Sequence, residues 1–154
     1  MDLVTKDHNP AAEFVSLGQA YTKKTQKELF DIGEGIKGLQ SDSRTLLSLS
    51  RCMKTPPGED LVISEEMKTL IEKAKTLGVD LHLEGKEKLT EREVSECRSD
   101  LLAQVEQLHS EVSIRYGDMK SLLDELSQLI QVLSSALRAD GDGKRSIIQG
   151  MRVS

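Results

Sequence analysis

The chain has 154 residues and a formal charge of −5, from 21 Lys and Arg against 26 Asp and Glu. Aromatic residues make up only 3%, with no tryptophan, so the apolar content is almost all aliphatic; this suits helix seams and serves base stacking or carbohydrate platforms poorly. The acidic balance argues against nucleic acid, whose phosphates require clustered Lys and Arg, and the length allows one domain or one continuous elongated unit.

Residues 1–9 read as a flexible N-terminus. Met-Asp-Leu-Val-Thr-Lys-Asp-His lacks the basic start and apolar core of a Sec signal peptide. No apolar run approaches the roughly 18 residues that a membrane span requires. The expectation is synthesis in the cytoplasm, with any export by a route that reads no hydrophobic leader. Cys52 and Cys97, far apart and in no CxxC pair, predict two reduced thiols rather than a disulfide framework or a zinc ligand set.

An N-terminal helical segment is predicted over 10–54. Asn9 is a suitable cap and Pro10 suits the first turn. Apolar residues follow at Phe14, Leu17, Tyr21, Leu29, Ile32, Ile36, Leu39, Leu46 and Met53, with Ser43 and Ser50 filling two seam slots. Gly33, Gly35 and Gly38 each weaken the middle by roughly 1 kcal/mol against alanine, which leaves a kink or break open there.

Thr55-Pro56-Pro57-Gly58 is a hard stop and opens a linker over 55–89. Within it Ser64 caps a short helix, Glu65 and Glu66 sit at its positive end, Lys73 and Lys75 near its negative end, and Gly78 closes it. Val79, Leu81 and Leu83 alternate with Asp80 and His82, which predicts a short strand pairing with residues 61–63 or with another copy. Residues 58–100 hold 12 acids and 7 bases, so the whole net charge resides there.

Thr90-Glu91-Arg92-Glu93 fits a capping box and opens a long C-terminal coiled-coil helix over 90–139. Leu101, Val105, Leu108, Val112, Arg115, Met119, Leu122, Leu126, Leu129, Leu133 and Ala136 alternate spacings of four and three, an a/d seam broken only by Arg115. A neighbouring position repeats every seven residues at Leu102, His109, Tyr116, Leu123, Ile130 and Leu137, and a stripe that broad implies packing against more than one helix. The seam from Leu101 to Leu137 is the candidate interaction site. Asp140-Gly-Asp-Gly143 is read as a stop before a tail over 140–154.

These elements predict an all-α fold: an elongated antiparallel coiled-coil hairpin with a short mixed insertion between two long helical segments. Closed within one chain, the seam is the core of that hairpin; left partly open, it is an assembly surface. The balance of apolar positions favours a monomer with residual open surface. Arg115 reads either as a buried residue fixing register or, preferably, as a packed stem with its head in water.

Catalytic and cofactor motifs are weak. Gly33-Glu-Gly35-Ile-Lys-Gly38 matches GxGxxG, but no buried strand precedes it, so a loosened helix is the better reading. Asp140 and Asp142 match the start of a calcium loop, which fails at Lys144, Arg145 and Met151. His8, His82 and His109 are scattered, and no nucleophile has a sequence-local base. The expectation is a protein that is not an enzyme and uses no cofactor or metal.

The stretches Val62-Ile63-Ser64 through Leu77-Gly78-Val79-Asp80-Leu81 and Leu101 through Leu137, with the tail Ser146-Ile147-Ile148-Gln149-Gly150-Met151, resemble in order and pattern the secreted filament and needle-tip proteins of type III secretion systems. The likeness spans about residues 60–154. It implies a precursor made in the cytoplasm and exported without a cleaved leader. Its C-terminal helix would pack with the first helix or with neighbouring copies, against needle or translocator proteins, and a cytosolic chaperone would cover the seam beforehand. The rival expectation is a cytosolic coiled-coil adaptor or secretion chaperone that is not exported.

Overall fold

The computed structural model describes the backbone of residues 10–153 and the side chains of that span except at positions 11, 140 and 142–153. The fold is all-α. Helix α1 (Pro10–Cys52, 43 residues) and helix α3 (Glu91–Val153, 63 residues) are joined by an insertion holding strand β1 (Leu61–Val62), helix α2 (Glu65–Thr76) and strand β2 (Lys88–Leu89). Asn9 and His8 lie outside the described residues.

α1 runs without a break through Gly33, Gly35 and Gly38. The glycine penalty is offset by packing: Ile36 is buried, and the Arg115 guanidinium occupies the space that a Cβ at Gly35 would fill. After Cys52 the double proline cannot continue a helix, and Gly58 turns the chain at φ 79°.

The insertion follows its local chemistry closely. Ser64 caps α2 by accepting the Met67 N–H at 3.2 Å. At the other end Gly78, at φ 90°, lets Val79 N–H reach Ala74 O (2.9 Å) and Gly78 N–H reach Lys75 O (3.0 Å), the paired bonds of a Schellman stop.

The predicted strand at 79–83 does not form. Val79, Leu81 and Leu83 do turn inward while Asp80 and His82 face out. The backbone, however, bends at His82, whose φ is 54° and whose N–H is held by Asp80 Oδ1 at 2.9 Å. The chain then reverses through Leu83–Lys86, with Gly85 at φ 75°, and delivers residues 88–89 to β1 instead. The pairing is antiparallel, Leu61 with Leu89 and Val62 with Lys88.

The capping box forms as the spacing predicts. Glu93 N–H donates to Thr90 Oγ1 (3.2 Å) and Thr90 N–H donates to Glu93 Oε1 (3.3 Å). α3 does not stop at 140–143 but continues to Val153. Glycines weaken a helix by about 1 kcal/mol each without terminating it, and no proline follows to enforce a stop.

The chain forms two compact units, one of Met1–Ile32 with Asp118–Ser154 and the other of Gly33–Gly117. In each, α1 and α3 run antiparallel. In the second unit Leu46, Leu49 and Met53 of α1 meet Val94, Cys97, Leu101 and Val105 of α3, and Ile63, Met67, Ala74, Leu83 and Leu89 of the insertion seal the same core. Both thiols are free: Cys97 is buried in this core and Cys52 is half-buried beside it. Among the described residues no helix is long and apolar enough to cross a membrane.

Candidate functional site

The heptad seam divides at the boundary between the units. Within Gly33–Gly117, Leu101 is fully buried, Val105 and Val112 nearly so, and Leu108 half-buried. This section is closed because α1 covers one side and the insertion a second. Arg115, at its end, is exposed rather than buried, and its guanidinium lies against Gly35 of α1.

In the unit of Met1–Ile32 and Asp118–Ser154 the same period gives a different result. Met119, Leu122, Leu126, Leu129, Leu133 and Ala136 are only half-buried. Leu137 is 55% exposed and belongs to the flanking stripe with Leu123 (50%) and Ile130 (49%). Two helices alone cover one stripe of each, and among the described residues no third element in this unit covers the rest.

The α1 side of this unit reverses the expected polarity. Phe14, Leu17 and Tyr21 are exposed, Leu17 by 71%, while Gly18 and Thr25 are buried. Small residues seven apart thus form the contact line, and the larger apolar residues flank it. Leu133 seats directly on Gly18: a Cβ there would stand 2.5 Å from its Cδ2. The Tyr21 hydroxyl donates to Glu125 Oε2 at 3.3 Å and ties the edge of the pair. Periodicity points to the large residues; the seven-residue interval from Gly18 to Thr25 is the signal that identifies the contact line.

The other polar features sit in the second unit. Ser43, buried in a seam slot, lies 3.0 Å from His109 Nε2, beside a cavity of about 410 Å³ lined also by Gln40, Arg44 and Tyr116. Ser43 is mid-helix, where backbone N–H groups are already bonded and unable to hold an oxyanion, so the pair serves as an interhelical hydrogen bond. A second cavity of about 390 Å³ lies between α2 and the 80–87 turn, floored by Ile63, Ile71 and Leu83 and rimmed by exposed Lys and Glu. Lys75 pairs with Glu84 there, and Lys86 pairs with Glu93. That pairing, with the Thr90 N–H, holds the Glu93 carboxyl below its ordinary range, while burial and then Asp100 raise the Cys97 thiol.

Gly33–Gly38 lies inside α1 rather than in a strand-to-helix turn, so it presents no free N–H cradle to a phosphate. Among the described residues no group of three or more His, Cys, Asp and Glu is placed to hold a metal ion. The calcium-like side chains at 140 and 142 lie outside those described. No protein-family model matches this chain, and no curated protein or solved structure is significantly similar to it.

Proposed function

We propose that this chain is a structural interaction component of a type III secretion apparatus, a needle-tip or filament-like secreted protein acting through coiled-coil packing and self-assembly. One observation carries the self-assembly part: the unit of Met1–Ile32 and Asp118–Ser154 leaves Leu123, Ile130 and Leu137 half exposed at a seven-residue period, on a helix already paired along its adjoining stripe. Scattered exposed leucines need no explanation, but a periodic row beside a packed seam is the form of an interface waiting for a helix.

The assignment to secretion is supported by segment order, a helix, a small capped insertion and a long C-terminal helix, and by the likeness of residues 60–154 to that family's plan. The surface acts by packing; needle or translocator proteins are its expected partners, with a cytosolic chaperone covering it before export. The test is secretion. A needle-competent strain is expected to release the chain into the medium, and an export-deficient mutant to retain it. Retention in both strains overturns the assignment and leaves a cytosolic coiled-coil adaptor or secretion chaperone.

A further inference from the structure

We propose that the cavity between residues 40–47 of α1 and 109–116 of α3 binds a small organic anion, a carboxylate or phosphate head carried on an apolar body. The proposal stands apart from the secretion and self-assembly readings, because no residue lining the cavity belongs to the Leu123–Ile130–Leu137 stripe.

The cavity has a local cause. Lining positions 40, 43, 44 and 47 of α1 and 109, 112, 113 and 116 of α3 share the spacing i, i+3, i+4, i+7, so each set is one stripe of its helix. Ser43 puts a hydroxymethyl group in a seam slot, where the next slot along carries Leu46, and the space beside it amounts to about 410 Å³. The insertion seals the core at residues 46–53 and 94–105 but lines no part of this cavity.

The lining is rich in hydrogen-bond donors and contains no carboxylate, in a chain of net charge −5. Arg44 is exposed, and among the described residues its guanidinium has no ion-pair or hydrogen-bond partner. The Tyr116 hydroxyl and the Gln40 amide are likewise unengaged. The Ser43–His109 pair adds a donor in either tautomer: if Ser43 donates to Nε2, the ring N–H is on Nδ1, and if Nε2 donates, the Ser43 hydroxyl keeps its hydrogen. Asp42 and Glu111 lie off both stripes and Glu106 stands one turn before His109, so none of them lines the cavity. A cation therefore meets no opposite charge in the lining, whereas a guanidinium forks onto two oxygens of a carboxylate or phosphate. Leu47 and Val112 supply the apolar surface against which the body of such a ligand packs.

NMR of the His109 ring protons on the full chain tests this, with inorganic phosphate, phenyl phosphate, benzoate and neutral benzamide titrated at fixed pH and ionic strength. Benzoate or phenyl phosphate is expected to shift His109 saturably at millimolar concentration while His82 stays put. Inorganic phosphate is expected to bind more weakly than phenyl phosphate, and benzamide not to saturate. Arg44→Gln is expected to weaken binding about tenfold or more, and Tyr116→Phe severalfold. Arg51→Gln, which removes an exposed arginine of α1 outside the lining, is expected to leave it unchanged. Circular dichroism checks that each variant keeps wild-type helicity. A response to benzoate alone or to phenyl phosphate alone supports the site and assigns its head group. No saturation by any anion, an equal response to benzamide, or an equal loss in Arg51→Gln overturns the proposal.

Discussion

Glycine-to-alanine substitutions in α1 report where the two long helices come closest. At Gly38 an added Cβ meets nothing within 4 Å, so alanine contributes only its helix propensity. The expected gain is about 1 kcal/mol, or roughly 3 °C in Tm for a chain of this size. At Gly18 the same Cβ would stand 2.5 and 2.8 Å from the two Cδ atoms of Leu133 and 3.1 Å from its Cγ. Because Cγ is involved, rotating the methyls does not relieve the overlap and Leu133 must withdraw. Overpacking of that kind costs about 1–3 kcal/mol, which offsets the propensity gain and leaves a net loss of ~0–2 kcal/mol. Urea melts followed by circular dichroism at low protein concentration separate the two variants. Equal stabilisation by Gly18→Ala and Gly38→Ala would refute the close approach of α1 and α3 at Leu133, and with it the helix pairing in that unit.

Leu101→Ala, at a fully buried site, is expected to destabilise the chain by about 2–5 kcal/mol, and Leu137→Ala by about 1 kcal/mol or less, in the same melts; equal effects would mean that both seam sections are closed. Thr90→Ala removes the cap of α3 and is expected to cost about 1 kcal/mol. Glu93 is held below its ordinary value of 4.5, so its contribution is complete above the normal carboxylate range and is lost as pH falls through the lowered folded value; Glu93→Gln is expected to flatten the acid limb of a stability–pH curve. Burial and neighbouring acids disfavour the Cys97 thiolate, so an aromatic disulfide reagent is expected to label half-buried Cys52 well before Cys97 in the native protein, and both at once in denaturant.

The features legible from sequence are those decided locally. Thr90 with Glu93, Ser64 with Met67, and Gly78 act through hydrogen bonds spanning three to five residues, and the seam at Leu101, Val105 and Val112 follows from helical period. The rest depends on partners that period does not specify. Val79, Leu81 and Leu83 alternate in burial as a strand would, yet the Asp80–His82 bend removes them from the ladder and residues 88–89 take their place. Gly18 and Thr25 carry no signal in the apolar period, because the closest helix approach selects small residues. Whether a seam is closed depends on how many elements reach it. Identical spacing therefore yields buried Leu101 in one unit and half-exposed Leu122 in the other.

Sedimentation velocity on the wild-type chain and Ile130→Asp, across a hundredfold concentration range, tests most directly whether the open apolar face is an assembly surface. The wild type is expected to grow in mass with concentration. Ile130→Asp, with a charge on a half-exposed position, is expected to keep its helicity and remain a monomer. A wild-type chain that stays monomeric throughout, or a variant that associates as strongly, would contradict the account.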